Sequence, residues 1–106
     1  ILPAVAKWLL PSGRVLALIK PQFEATKKQV GKGGVIRDDE IRTMVVGNLL
    51  NWIRNNSWQI EGLIQSSIQG ADGNIEYLVL LHRDSSSPGK EVEELINNFV
   101  QNHDID

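Results

Sequence analysis

The ten residues VLALIKPQFE, from Val15 to Glu24, decide the fold. Five consecutive apolar residues, Val15 to Ile19, run directly into Lys20, and a proline follows at once. A continuous Val/Leu/Ile run without alternation is typical of a parallel strand that helices cover on both faces. The pattern therefore predicts a strand over Arg14 to Ile19, with Lys20 at the rim of a buried sheet.

The segments around this strand alternate between helix and strand. Leu2 to Leu10 has apolar residues at helical spacing, which predicts a short helix. A second helix is predicted after an N-cap at Asp38, because its apolar residues form one stripe. That stripe consists of Ile41, Val45, Leu49 and Trp52. Ser57 to Ser66 and Ile75 to His82 read as two strands joined by a tight turn at Asp72-Gly73.

The tail of the chain predicts one more helix. "RDSSSPGK", residues 83–90, reads as a linker rich in turn residues. Beyond it, apolar residues recur at helical spacing at Val92, Leu95, Ile96 and Phe99. Such a stripe is typical of a helix that docks on a sheet.

The order of these elements predicts half of an open α/β fold. The first two strands flank a helix, so they should run parallel through a right-handed crossover. The tight turn makes the third strand antiparallel to the second. We therefore expect a mostly parallel sheet with one late antiparallel strand, flanked by helices.

This topology predicts a meeting of Lys20 and Glu76. Working groups of open α/β sheets gather at the carboxyl ends of parallel strands, and the third strand starts at that rim. If it lies beside the first strand, the two charged side chains face one another. An exposed salt bridge worth ~0–1 kcal/mol is the competing interpretation. The face of Glu76 continues with Leu78 and Leu80, and a carboxylate entering an apolar face needs a partner.

Composition excludes several classes of function. The 106 residues carry a net charge of −2, so no global field attracts nucleic acid or an anionic membrane. The absence of cysteine excludes disulfides, thiolate zinc sites and cysteine nucleophiles. No apolar stretch has the length of a membrane span. The chain begins without a methionine or a leader pattern, and we expect it to be a segment excised from a larger protein.

The glycine-rich stretch "VGKGGVIRD", residues 30–38, suggests a phosphate loop, but its lysine is followed by two glycines rather than Ser or Thr. Two interpretations remain open for this region. Its basic residues could form a flap along an RNA-facing rim, where glycine N–H groups approach a phosphate, or a solvated loop. The basic residues are Lys27, Lys28, Lys32 and Arg37. No metal site is expected, because His82 and His103 lack ligand-spaced partners.

Three blocks, "LIKPQFE", "VGKGGVIRD" and "SSIQGADGNIEYLVLL", resemble in sequence and order the C-terminal half of the TlyA (hemolysin-A-like) proteins. These are S-adenosylmethionine-dependent ribosomal RNA methyltransferases with an FtsJ-like catalytic domain. The likeness covers Ile1 to Leu81. It implies that residues 1–83 form the C-terminal half of a Rossmann-like class I methyltransferase sheet. Residues 84–106 would be a linker and a short C-terminal helix.

The resemblance implies a ribose 2′-hydroxyl methyltransferase that uses a Lys-Asp-Lys-Glu tetrad. Lys20 matches the second lysine and Glu76 the glutamate. The first lysine, the aspartate, the cofactor turn and the small RNA-binding domain of the family precede Ile1, so no cofactor-binding residue is expected here. The family often has Ser-Pro-Ile where this chain has Ser66-Ser67-Ile68. The implied cofactor is S-adenosylmethionine, the implied partner ribosomal RNA, and the implied location the cytoplasm.

Two further expectations and two alternative functions follow. The chain alone should be inactive, and its first strand, Val15 to Ile19, should be an open edge through which copies associate. A cytolytic, membrane-active protein is the alternative that the hemolysin label suggests. It is disfavoured because the sequence has neither a spanning segment nor a basic amphipathic helix. A non-catalytic α/β interaction module is the third possibility.

Overall fold

The computed structural model describes residues 4, 6–24, 31, 34–66 and 73–105. Four strands and three helices lie within these ranges. The strands are β1 (Ala6–Leu9), β2 (Val15–Ile19), β3 (Gln59–Gln65) and β4 (Tyr77–His82). The helices are α1 (Pro21–Glu24), α2 (Asp39–Asn55) and α3 (Val92–Ile105).

The sheet has the strand order β1-β2-β4-β3, and each neighbouring pair is antiparallel. The predicted mostly parallel sheet is therefore wrong for the described residues. β2 and β3 do run in the same direction, as a crossover helix requires, but β4 lies between them and pairs with both. The directions of the strands were predicted correctly, and the condition that the third predicted strand lies beside the first is met by the pairing of β4 with β2. The parallel neighbours were wrong, because β4 separates β2 from β3.

The first predicted helix is wrong, because Ala6–Leu9 forms β1 and pairs with β2 from Ala6↔Leu18 to Leu9↔Val15. Gly13 has a φ of 82°, and the Leu10 N–H donates to the Arg14 carbonyl at 2.8 Å, which closes a hairpin. Pairing with β2 satisfies backbone groups that an isolated short helix would not, and this outweighs helical spacing.

The same hairpin removes the open edge predicted at Val15 to Ile19. β2 pairs with β1 on one side and with β4 on the other. The expected self-association through this strand therefore has no unpaired backbone to use. β1 and β3 are the outer strands of the described sheet.

The core lies on one face of the sheet. Ala17 and Ile19 of β2 and Tyr77 of β4 are buried there against α2 and α3. α2 begins as predicted, since the Asp38 side chain accepts hydrogen bonds from two backbone N–H groups of the first turn. Its buried apolar residues are Val45, Val46, Leu49, Leu50 and Ile53. Trp52, placed in the stripe by its spacing, is instead exposed.

The opposite face of the sheet is only partly buried. Register places Leu16 and Leu18 of β2 beside Leu80 and Leu78 of β4 on this face. The prediction that helices bury the first strand on both faces is therefore wrong, because the described helices pack on the other face. A bulge between Ile60 and Gly62 shifts the register of β3. A one-residue shift moves later side chains to the other face, and Ile64 is exposed as a result.

The predicted C-terminal helix is confirmed as α3, and Leu95 is buried in the core with partly buried Val92 and Ile96 beside it. Arg54 of α2 forms an ion pair with Glu91, immediately before α3, at 2.6 Å. Within the described ranges, no helix combines the length and the apolarity needed to cross a bilayer.

Candidate active site

One end of the sheet presents a row of three polar residues. Lys20 and Glu76 lie one position beyond the paired residues Ile19 and Tyr77. Ser66 extends β3 in the same way, since its N–H donates to the Glu76 carbonyl at 2.8 Å. The ends of three strands therefore meet here, at the carboxyl ends of β2 and β3.

Lys20 and Glu76 contact one another in this row. The distance between Lys20 Nζ and Glu76 Oε2 is 3.2 Å, and the two side chains are 24% and 6% exposed. The predicted meeting of these two residues is confirmed as a geometric fact. The carboxylate is buried, so the contact differs from the exposed salt bridge that the sequence left open. The Lys20 side chain is therefore partly accessible to solvent, whereas the Glu76 carboxylate that it contacts is shielded from water.

Gln22 is a member of the site that sequence reasoning missed. Its Nε2 donates to Glu76 Oε2 at 3.1 Å, the same oxygen that Lys20 contacts. Its Oε1 is buried and has no hydrogen-bond partner among the described residues. The one-turn helix α1, which starts at buried Pro21, brings Gln22 back over the pair. The only sequence signal is its place in the LIKPQFE block.

Phe23 stands beside Lys20 on the solvent side. Its side chain is exposed, and Lys20 Nζ lies 5.8 Å from the centre of its ring. The Phe23 N–H donates to the Lys20 carbonyl at 3.0 Å. The backbone turn therefore fixes the backbone of Phe23 relative to that of the lysine.

Asn74 anchors a loop next to the site. It is 3% exposed; its Oδ1 accepts from the Ile36 N–H at 3.0 Å, and its Nδ2 donates to the Gly34 carbonyl at 3.0 Å. Arg42 of α2 is also buried; it donates to the Ile36 carbonyl at 2.7 Å and pairs with Asp39. The loop is therefore held between α2 and the segment that leads to Glu76. Asn74 lies in the Gly-Asn-Ile-Glu block, which is the signal that could have identified it.

The glycine-rich stretch does not form a phosphate or cofactor cradle in its described residues. The Gly31 N–H donates to the Val35 carbonyl at 2.8 Å, and the Gly34 N–H donates to the Gly31 carbonyl at 3.1 Å. A Cβ at Gly31 would lie 2.9 Å from Arg37 Nη1. These amides are used inside a tight turn, so they do not fit the binding of S-adenosylmethionine. Of the predicted basic flap, Arg37 is exposed; Lys27, Lys28 and Lys32 lie outside the described residues.

Burial also changes the pKa of Tyr77, the first residue of β4. Loss of hydration raises the pKa of the Tyr77 phenol to about 12; Arg42 opposes this shift and Asp39 adds to it. The neutral phenol is therefore the form that the core holds at ordinary pH.

The opposite end of the sheet carries a second set of polar groups. Arg14 Nε lies 3.1 Å from Glu61 Oε2, with both side chains more exposed than the pair at the other end. The His82 Nδ1 accepts from the Asp84 N–H at 3.0 Å. Hydrogen bonds from Ser86 lower the pKa of the exposed Asp84 carboxyl. This end contains short contacts but no buried carboxylate paired with a lysine.

Fold and site together define a mixed α/β domain with a shielded lysine–glutamate pair where its strands end. Residues 3–83 match the FtsJ-like methyltransferase family, so the chain belongs to this family. The resemblance predicted from the sequence is thereby confirmed.

Named relatives agree with this assignment. The chain is 40% identical over 82 residues to YqxC of Bacillus subtilis (strain 168), a candidate rRNA methyltransferase, covering 77% of this chain and 29% of that protein. It is 46% identical over 63 residues to Hemolysin A of Brachyspira hyodysenteriae, covering 59% and 26%. It is 30% identical over 102 residues to TlyA of Mycobacterium tuberculosis, a 16S/23S rRNA (cytidine-2′-O)-methyltransferase, covering 94% and 38%.

Two solved structures share the fold. A candidate hemolysin from Lactococcus lactis superposes with a TM-score of 0.68 at 36% identity, covering 82% of this chain and 43% of the other. One from Streptococcus thermophilus gives a TM-score of 0.70 at 36% identity, covering 98% and 40%. The chain therefore spans less than half the length of each of these relatives.

Proposed function

We propose that this chain is the C-terminal part of an S-adenosylmethionine-dependent methyltransferase that modifies a ribose 2′-hydroxyl of ribosomal RNA. Lys20 and Glu76 are the proposed catalytic residues. The observation that supports this proposal is the 3.2 Å contact between the Lys20 ammonium and a buried carboxylate at the end of the sheet. Family membership of residues 3–83 supplies the class of reaction.

The proposed role of Lys20 is to hold and polarise the reacting hydroxyl. A ribose hydroxyl is a poor nucleophile. As its oxygen attacks the sulfonium methyl, the O–CH3 bond forms, the S–CH3 bond breaks to leave the thioether, and the hydroxyl proton passes to a base, which we propose lies in the part of the site outside these 106 residues. Negative charge develops on the oxygen as this proton leaves. An ammonium group that is paired with a carboxylate donates hydrogen bonds, and its remaining protons can face the open side of the site. Such a fixed donor stabilises the developing charge without having to reorganise.

The proposed role of Glu76 is to fix the direction of that ammonium group. Its Oε2 accepts from Lys20 and from Gln22, at 3.2 and 3.1 Å. Two donors on one shielded oxygen restrict the carboxylate to one orientation, and the lysine follows. Gln22 therefore acts through Glu76 as a positioning residue.

RNA and the cofactor complete the proposal. S-adenosylmethionine would supply the methyl group, and the residues that bind it would lie outside these 106 residues. The basic flap of Lys27, Lys28, Lys32 and Arg37 is proposed to contact RNA phosphates. The cytoplasm is the proposed location, because bacterial ribosomal RNA is found there. Since this proposal places the cofactor-binding residues outside these 106 residues, we expect the chain alone to be inactive.

The test is methyl transfer from labelled S-adenosylmethionine to ribosomal RNA by the full-length protein. Lys20→Met should lower kcat about 100- to 1,000-fold, as removal of one transition-state donor does. Arg14→Met, which removes the cation at the other end of β2, is the matched control and should retain full activity. Alkaline hydrolysis of the product should show a protected phosphodiester, which marks methylation at the 2′-oxygen rather than on a base.

Two results would contradict the proposal. Full activity in both Lys20→Met and Glu76→Ala would remove the assigned roles of the pair. Label on a base, with every phosphodiester cleaved by alkali, would replace the ribose reaction with a different methyl transfer.

A membrane-active role is the alternative carried by the names of the hemolysin relatives. Release of a trapped dye from liposomes by the chain would favour that role. Methyl transfer without dye release would favour the RNA enzyme.

A further inference from the structure

Phe23 is an exposed aromatic ring at the proposed active site. Its side chain is 67% exposed, although apolar side chains of this size are stabilised by burial. The ring stands 5.8 Å from Lys20 Nζ, within the range of attraction between a cation and an aromatic face. Unlike the other exposed apolar side chains of the described residues, this ring lies next to the lysine of the proposed site, where a planar ligand can reach its face.

The local structure holds this ring outward. Pro21 is buried and starts α1, so the turn after Lys20 is anchored in the protein. The hydrogen bond from the Phe23 N–H to the Lys20 carbonyl, at 3.0 Å, ties the backbone of Phe23 to that of the lysine. The ring therefore projects from an anchored backbone next to the ammonium group.

We propose that Phe23 is a stacking platform for a nucleobase of the RNA substrate. The inference rests on the proposed function and extends it from the ribose to the base. A base lying on the exposed ring would place its own ribose, or that of its neighbour, on the side of Lys20. Stacking on an aromatic ring accepts every base, because each has a π-face. The sequence preference of the enzyme must therefore come from other contacts.

The experiment uses the full-length protein and an RNA that contains the methylated nucleotide. Phe23→Ala and Phe23→Leu should each raise KM about 5- to 150-fold, the range for loss of one stacked base, with little change in kcat. Phe23→Trp should stay close to the wild-type KM because it retains an aromatic face. Trp52→Ala removes another exposed aromatic residue, on α2, and should leave KM unchanged.

An abasic RNA gives the sharper measurement. If the stacking base is removed and its ribose kept, wild type and Phe23→Ala should have the same KM. Each change removes the same contact, so the two effects in this double-mutant cycle should not add. Scanning the abasic position along the RNA identifies which nucleotide stacks. Melting temperatures of the variants verify that each one is folded.

The possible failures are distinguishable. A wild-type KM in Phe23→Leu would show that apolar packing, such as contact with another protein segment, is the role of the residue, and would overturn the stacking inference. An unchanged KM in Phe23→Ala would do the same while leaving the methyl transfer intact. A wild-type enzyme with no activity on RNA would overturn the proposed function itself.

Discussion

The two ends of β2 carry ion pairs of nearly equal length that differ in burial. Lys20 and Glu76 are 3.2 Å apart with side chains 24% and 6% exposed, while Arg14 and Glu61 are 3.1 Å apart with side chains 48% and 27% exposed. The side chains of the second pair are the more exposed, so we expect its net energy to be small, although the Glu61 Oε2 atom itself is buried. The carboxylate of the first pair has lost most of its water, so it depends on its partners. Burial rather than distance therefore separates the proposed site from an ordinary surface contact.

The surroundings of the two ends differ in the same way. At the Lys20 end, Gln22 donates a partly buried hydrogen bond to Glu76, and Asn74 accepts a buried hydrogen bond from the Ile36 N–H. Near Arg14, the polar contacts of Asp84 and Ser86 are exposed. Substitutions at the first end should therefore cost stability as well as activity, whereas those at the second should cost little.

The largest loss of stability is expected for Asn74→Ala. The substitution leaves the buried Ile36 N–H without its acceptor and removes the donor to the Gly34 carbonyl. We expect the free energy of unfolding to fall by about 2–3 kcal/mol. Ser86→Ala, in the exposed cluster at the other end, should change it by less than about 1 kcal/mol. Urea denaturation measures both, and equal losses would remove the distinction between the two ends.

The next effect is an asymmetry within the Lys20–Glu76 pair. Lys20→Met leaves the buried Glu76 carboxylate with Gln22 as its remaining described partner. The free energy of unfolding should fall by about 2 kcal/mol, which is less than for a fully buried pair because Lys20 is partly exposed. Glu76→Gln should cost about half as much, since the lysine can reach water. Arg14→Met should cost about 0–1 kcal/mol. Denaturation of the three variants provides the comparison, and a larger loss in Arg14→Met would reverse it.

The two ends should also respond to opposite extremes of pH. The pKa of Tyr77 is raised to about 12 in the folded protein, so above the ordinary value of 10.0 the unfolded chain releases a proton that the folded chain keeps. The contribution of Tyr77 to the free energy of unfolding is therefore present below pH 10 and declines as the pH rises, by about 1.4 kcal/mol at pH 11. Tyr77→Phe should flatten this part of the curve.

On the acid side, the pKa of the Asp84 carboxyl is lower in the folded protein than in the unfolded chain. Asp84 therefore stabilises the fold at pH values above its unfolded pKa, and this contribution is lost as the pH falls through its folded pKa. Denaturation from pH 3 to 11 should therefore show an alkaline loss that Tyr77→Phe removes and an acid loss that Asp84→Asn reduces. An alkaline slope unchanged in Tyr77→Phe would contradict the assignment.

A similarly small effect is expected for the ion pair between Arg54 and Glu91. Arg54 and Glu91 are 2.6 Å apart, closer than either pair on β2, but both side chains are substantially exposed. Arg54→Met should change the free energy of unfolding by about 0–1 kcal/mol, and the change should vanish at high salt. A loss above that of Lys20→Met would mean that distance, not burial, ranks these contacts.

Local signals predicted much of this molecule. The cap at Asp38 fixed the start of α2 because its acceptor oxygen and the first-turn amides are neighbours in sequence. The contact between Lys20 and Glu76 was also predicted, from strand direction and the position of the tight turn. The prediction also required the third predicted strand to lie beside the first. The pairing of β4 with β2 meets this condition, so the prediction held although the parallel sheet was wrong.

Features that depend on tertiary pairing could not be predicted. The residues of β1 have helical spacing, and only the presence of β2 turns them into a strand. The bulge between Ile60 and Gly62 exposes Ile64, which an uninterrupted alternation with Ile60 would have buried. Gln22 had no predicted role because no sequence pattern indicated that the one-turn helix α1 brings its amide group back to Glu76. The catalytic roles themselves remain predictions that the kinetic experiments test.

Pro21 has a consequence for the cost of assembling the site. A residue that precedes proline is largely excluded from the helical region of backbone conformation, in the unfolded chain as well as in the folded one. Lys20 therefore has fewer conformations to lose on folding, and the conformational entropy spent on ordering it is reduced. The proline that interrupts the apolar run thus restricts the lysine before any tertiary contact forms.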